Sequence, residues 1–407
     1  MNAAQRLVPV AEALLGPSLP IQIRLWDGSQ IGPPDAPALV VRSPRALRRL
    51  LWHPGELGLA QAYVSGEIDV EGDLTDGLRR VWSQARQRGL STRSLLALAP
   101  QILSLAKESG ALGRPLPPPR SQARIRGQLH TSARDKAAIA HHYDLSNDFY
   151  ELVLDPQMAY SCAYFTHAEQ SLESAQKAKL DLVCGKLELQ PGNRLLDVGC
   201  GWGSLSIHAA QHFDVQVTGI TLSAQQAAFV RTRVQKLGLE HRITIKLLDY
   251  RDLAGEPFDA VASLEMGEHV GQANYPVYAQ TLRRMVVPGG RVLVQQMSRS
   301  AGRPGGGAFI EAYIAPDMHM RPLGETVALL EQGGLEVLGV QALREHYVRT
   351  AHAWSQLLEQ RWDEVVARVG EEMARVWRIY LAGGALAFEE GRMGVDQILA
   401  VRADSKG

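Results

Sequence analysis

The chain has 407 residues, with 43 Lys and Arg against 43 Asp and Glu, so its formal charge at pH 7 is zero. That length suits two or three domains, and 45% hydrophobic with 21% charged residues is an ordinary globular composition. The balance gives no bulk-charge argument for a nucleic-acid partner, and none is expected. Cys162, Cys184 and Cys200 lack metal-ligand spacing and cannot all pair, so no metal is expected and a reducing compartment fits. No stretch reaches the ~18 apolar residues of a membrane span, and the N-terminus lacks the apolar run of a signal peptide. The expectation is a cytoplasmic protein that sits, at most, on the inner face of the cell membrane.

In chain order, Ile21–Trp26 alternates like a strand and Asp27-Gly28 is a turn signal. Arg45–Trp52 reads as an amphipathic helix with Arg45, Arg48 and Arg49 on its polar side. Ser94–Lys107 reads as a more apolar helix. Gly113–Arg120 is so rich in proline that it reads as an extended linker. These signals divide the chain into a small N-terminal α+β domain (1–110), a Pro/Arg-rich linker (111–130) and a larger domain (131–407). Residues 79–134 carry eleven Lys or Arg and one acid, Glu108. Two readings stay open: a solvated linker, or a patch for anionic headgroups, where each basic residue near a membrane is worth roughly 1 kcal/mol.

After the linker, strands and helices alternate. Strands are expected at Arg194–Val198, Val215–Ile220, Ile243–Leu247, Phe258–Leu264 and Arg291–Gln296. Helices are expected at Gly203–His212, about Ser223–Lys236 and near Tyr275–Val287. A strand at Leu335–Leu343, long helices through 351–390 and a strand at Gln397–Ala403 complete the set. Such alternation implies an α/β fold with a mostly parallel sheet covered by helices. Ligands in such sheets bind beyond the carboxyl ends of the strands.

Leu196-Asp197-Val198-Gly199-Cys200-Gly201-Trp202-Gly203 runs from an expected strand through alternating glycines into an expected helix. Glycine lets the backbone turn sharply and approach a ligand where a Cβ would clash. The spacing fits the dinucleotide fingerprint poorly. It resembles motif I of the class I S-adenosylmethionine methyltransferases, a Rossmann-like fold. The acidic residue usual after the second strand is replaced by Gly219-Ile-Thr-Leu-Ser223.

That replacement, with His142-Tyr-Asp-Leu-Ser146, Tyr160-Ser-Cys-Ala-Tyr-Phe165, Gly219–Gln226, Asp249–Leu253 and Gly267-Glu-His-Val-Gly271, resembles the cyclopropane fatty acid synthase family. Gln61–Asp73 is similar to the small N-terminal domain of the bacterial synthases. The resemblance implies that the small domain associates with lipid and that S-adenosylmethionine is the co-substrate. Its site would be Tyr160, Ser161, Asp197, Gly199, Cys200, Gly201, Gly203, Thr221, Leu222, Ser223, Gln226, Tyr250 and Arg251. Thr221 and Ser223 also fit as helix caps.

The implied reaction methylates the double bond of an unsaturated phospholipid acyl chain through a carbocation. Tyr143, Phe165, Tyr313 and Tyr347 are aromatic candidates to face that cation. The family uses bound bicarbonate as base, and the resemblance assigns its holders to Cys162, Glu268 and Tyr347, with His269 beside them. Gln295 stands where the family's cyclopropane synthases have histidine, and Gly305–Asp317 resembles the subgroup making methyl-branched acids. A methylene product, for a separate reductase partner to saturate, is therefore the preferred expectation, with a cyclopropane as the alternative. A non-catalytic lipid-binding protein is the alternative of another class. Acyl chain length, double-bond position, headgroup and oligomeric state, a homo-oligomer included, stay open.

Overall fold

Asn2 and Gln5 start the first helix, Ala3–Leu15, by each accepting the other's backbone N–H. The structure is a computed structural model and describes residues 2–88, 99–123, 131, 134, 145–300 and 305–403. The chain forms two compact units. The first comprises Met1–Gln122, Gly307–Tyr313 and Val369–Leu386. Its sheet contains β1 (Gln22–Arg24), β2 (Gln30–Ile31), β3 (Ala38–Val41) and β4 (Ile68–Glu71) in the order β2-β1-β3-β4. β1 and β3 run parallel and the other neighbours antiparallel. Its core gathers Ile21, Ile23, Val41, Tyr63 and Ile68 under the first helix. The expected helix at Ser94–Lys107 is described from Ala99 to Glu108, and 94–98 lie outside the described residues.

The proline-rich segment has no regular structure, yet it is tied down. Arg48 donates to the carbonyls of Gly110, Ala111 and Leu112, Arg49 to that of Pro117, and the Trp52 indole to that of Gly113. A segment that cannot pair its own backbone needs donors from elsewhere. Arg49 is itself buried and pairs with buried Glu67 at 2.7 Å. So Arg48 and Arg49, read as part of a polar face, hold the unit together. The contacts also depart from the chain-order division at 110 and 131. Residues 307–313 and 369–386 join the first unit, where Ile379 packs on its core and Arg375 bonds Asp69 at 3.1 Å. Of the basic 79–134 segment, Arg79 and Arg80 pair with Asp76, and Arg134 pairs with Asp317. Arg93, Arg124 and Arg126 lie outside the described residues.

The second unit comprises Ala123–Gly306, Ile314–Arg368 and Ala387–Gly407. Its sheet contains β5 (Arg194–Val198), β6 (Gln216–Thr221), β7 (Ile243–Leu247), β8 (Phe258–Leu264), β9 (Val286–Arg299), β10 (Glu336–Ala342) and β11 (Met393–Val401). The order is β10-β11-β9-β8-β5-β6-β7. β5 to β9 are parallel to their neighbours in that group, and β11 is antiparallel to both β9 and β10. Leu195 and Leu196 are adjacent in β5 and fall in different buried clusters. Side chains alternate across a strand, so helices cover both faces, as a parallel sheet requires. From β5 the chain moves to β6 and β7, then returns to the other side of β5 for β8 and β9. Helices fill 344–389 as expected, but Gly370 (φ 78°) breaks the run Trp362–Glu389. Among the described residues, no helix is long and apolar enough to cross a membrane.

Replacing Arg49 with Ala leaves Glu67 buried with only the more distant Arg45 and frees the Pro117 carbonyl. Chemical denaturation of Arg49→Ala should show a loss of roughly 3 kcal/mol.

Candidate active site

Beyond the carboxyl ends of β5, β6 and β8 lies an open cleft. Gly199 and Gly201 line it after β5, and Thr221, Leu222 and Gln226 after β6. Leu248, Tyr250 and Arg251 line it after β7, and Glu265, Met266 and His269 after β8. The three loop glycines all have positive φ, for different reasons. A Cβ at Gly199 would meet Met266 Cγ at 2.9 Å, and one at Gly203 would meet Val230 Cγ1 at 2.6 Å. A Cβ at Gly201 would meet nothing within 4 Å and would project into open space. Packing therefore disfavours a side chain at Gly199 and Gly203, whereas at Gly201 a side chain would enter open space beside the cleft.

Three donors converge on Glu265, a residue that no sequence motif singled out. Its carboxylate accepts the Cys162 backbone N–H, the Gln295 side-chain amide and the Tyr347 hydroxyl, each at 2.7 Å. Glu265 has φ 52°, a left-handed conformation costly for a residue with a Cβ. Its own N–H holds it to the Gln295 carbonyl at 2.6 Å. Burial raises the Glu265 pKa, while the three donors and the charge of Lys179 pull it down. Lys179 is itself fully buried and donates to the Ser161 hydroxyl at 2.8 Å.

A family of proteins described as mycolic acid cyclopropane synthetase matches residues 130–398. The chain belongs to this family. A probable fatty acid methyltransferase of Mycobacterium tuberculosis is 40% identical over 401 residues, 95% of this chain and 92% of that protein. The cyclopropane-fatty-acyl-phospholipid synthase of Escherichia coli strain K12 is 32% identical over 92% of this chain and 90% of that one. The crystal structure of mycolic acid cyclopropane synthase CmaA1 complexed with SAH and CTAB is similar at a TM-score of 0.62 and 33% identity, covering 65% of this chain and 98% of that one. The second unit has the class I methyltransferase fold.

In this cyclopropane synthase family member, the groups expected to hold bicarbonate instead hold a carboxylate of the chain. Cys162 N–H and Tyr347 OH are committed to Glu265, so the residues present do not fit a separate bicarbonate ion. Glu268 is not among these partners. Its carboxyl is fully buried with no hydrogen-bond partner for either oxygen, and burial pushes its pKa up to about 8. Neighbouring Glu265 raises it further. Burial thus favours the neutral acid form of Glu268. His269 lines the cleft and burial lowers its pKa to about 4, so it is neutral as well. Burial holds the Cys162 thiol well above its ordinary pKa, which disfavours a thiolate.

The remaining expected residues divide between cleft and support. Asp197 is buried, accepts the Ser206 hydroxyl at 2.7 Å and has its pKa pushed up to about 6 by burial. Cys200 packs in the core beside Gly219. Ser223 caps its helix through the Gln226 N–H, and the Thr221 hydroxyl donates to the Gln226 side chain. The Tyr160 ring packs on Tyr150 and Trp354. Arg251 pairs with Asp249 beside Tyr250. Among the aromatic candidates, Tyr347 touches Glu265, Phe165 lies under Arg349, and Tyr313 falls in the first unit. His142 and Tyr143 lie outside the described residues.

Gly201→Ala should weaken S-adenosylmethionine binding at least about tenfold by calorimetry, with at most ~1–2 kcal/mol of folding strain. A second outcome concerns pH. The Glu268 pKa of about 8 exceeds its ordinary 4.5, so the folded state favours the protonated form. Its stabilising effect is complete below 4.5 and is lost as pH rises toward 8. Glu268→Gln should therefore flatten the stability profile across that window and raise Tm at pH 8 by roughly a few degrees, read by thermal denaturation.

Proposed function

We propose that this S-adenosylmethionine-dependent lipid methyltransferase methylates the double bond of an unsaturated phospholipid acyl chain, with Glu265 as the base. The observation behind this reading is the Glu265 carboxylate, fixed by three donors at the cleft wall. Bound S-adenosylmethionine supplies an electrophilic methyl group. The alkene's electron pair forms the new carbon–carbon bond, and its other carbon becomes cationic. A proton must then leave, and a buried carboxylate accepts one without bulk water.

The proposed product is a methylene branch. A hydride moves from the methylated carbon to its cationic neighbour, leaving a tertiary cation. Glu265 then removes a proton from the added methyl, and the C–H electrons form the double bond of the methylene branch. Without the hydride shift, loss of the same proton closes a cyclopropane. A tenfold preference needs only ~1.4 kcal/mol of barrier difference. Gln295, neutral and donating to Glu265, supports the methylene reading, as does likeness to a fatty acid methyltransferase. A separate reductase would saturate the branch.

The enzyme is proposed to work as a peripheral protein at the cytoplasmic membrane face. Lifting nine methylenes from a bilayer costs about 7 kcal/mol at ~0.8 kcal/mol each unless apolar protein surface receives them. Trp52 and Leu112 of the first unit are about half exposed, at 51% and 46%, and lie together where Trp52 bonds Gly113. They supply an apolar contact for such a surface.

Glu265→Gln should cut turnover on vesicles of unsaturated phospholipid by about 10²–10⁴-fold. Wild-type turnover in that variant would refute the assignment. Proton NMR of the wild-type product should show vinylic hydrogens. Cyclopropane ring hydrogens as the main signal would overturn the methylene reading. Deuterium in the transferred methyl does not separate the two routes, since both remove one of its hydrogens.

A further inference from the structure

Gln341, Gln397 and Gln295 stand directly opposite one another on β10, β11 and β9. On the other side of Gln295, β8 ends at Leu264, and Glu265 follows. Lys186 closes the far end of this row. Its ammonium donates to Gln341 Oε1 at 2.6 Å and to Gln397 Oε1 at 2.7 Å. Gln397 Nε2 donates to Gln295 Oε1 at 2.9 Å, and Gln295 Nε2 donates to Glu265 Oε1 at 2.7 Å. A continuous hydrogen-bonded chain thus runs from a cation, through two buried amides, to the carboxylate.

The direction of this chain is forced at both ends. An ammonium has only hydrogens to offer, and a carboxylate only acceptors. Gln397 must turn its carbonyl toward Lys186, which aims its NH₂ at Gln295. Gln295 must then turn its own carbonyl toward Gln397 and its NH₂ toward Glu265. Reversing either amide would set like against like in a buried site, which is costly. Without Lys186, the sense is set from the Glu265 end alone, and the buried Gln397 carbonyl loses its cationic donor.

We infer that Lys186 is a positioning residue: through the amides of Gln397 and Gln295 it aims a donor at Glu265 and holds that carboxylate in place as the base. The inference rests on the reading of Glu265 as base. Lys186 touches neither the cleft lining nor Glu265 itself. Half-burial lowers its pKa to about 8, which leaves it mostly charged at pH 7. The Gln341 contact is a side arm that anchors Lys186 and leads away from Glu265.

The test compares Lys186→Met, Lys186→Arg, Gln397→Leu, the Lys186→Met/Gln397→Leu double variant and Gln341→Leu on unsaturated phospholipid vesicles. Lys186→Met should lower kcat about tenfold with KM for S-adenosylmethionine unchanged. Lys186→Arg, still a donor-only cation, should restore most of kcat. With the chain cut at Gln397, loss of Lys186 should add nothing, so the double variant should match Gln397→Leu. Gln341→Leu should stay within about twofold of wild type. Wild-type kcat in Lys186→Met, or additive losses in the double variant, would overturn the inference. If Gln397→Leu fails to fold, the Met and Arg variants at 186 decide it. Glu265→Gln separates the two levels: turnover retained there removes the base assignment, whereas turnover lost there with normal kcat in Lys186→Met removes the relay alone.

Discussion

Donors from three distant parts of the chain meet on one carboxylate. The Cys162 N–H comes from an extended loop, the Gln295 amide from β9, and the Tyr347 hydroxyl from the helix Arg344–Gln360. A buried carboxylate without such partners would take up a proton and cease to be a base. Lys179, driven into the core under Ser161, adds positive charge from the helix Leu172–Lys186. The strained backbone at Glu265 survives because β8 and β9 pair up to the residue before it. Strain of this kind persists where surrounding structure over-determines it.

That constraint orders the surrounding chemistry. Glu268 and His269 follow Glu265 closely, and desolvation pushes each toward its neutral form. One carboxylate with three donors then stands against the wall of a cleft lined by the glycine loop. An internal carboxylate is tethered and pre-aimed, which spares the entropy of capturing a free ion. In the proposed role, its basicity would depend on donors and charges that lie far from the cleft.

The first unit obeys a similar rule with different partners. A proline-rich segment cannot satisfy its own carbonyls, and Arg48, Arg49 and Trp52 do so from one helix. Those arginines look solvent-directed by periodicity alone. Long cationic side chains can bury their stems and deliver donors to backbone, and a helical pattern does not record that use.

The sequence alone determined the alternating elements of the second unit, because a strand buried on both faces needs a short apolar run. β5 and β8 fall at the expected residues for that reason. It also determined the glycine loop and, through its motifs, the family. The carboxylate proposed as base was not legible. Glu265 and Glu268 are three residues apart, both acidic and both at the end of β8, and a family motif pointed to the second. Only the tertiary structure separates them, because three donors converge on Glu265 and not on Glu268. Those donors lie 103, 30 and 82 positions away along the chain. The Lys186–Gln397–Gln295 row was hidden for the same reason: strand pairing in β9, β10 and β11 creates its neighbours, and pairing register is a property of the folded sheet.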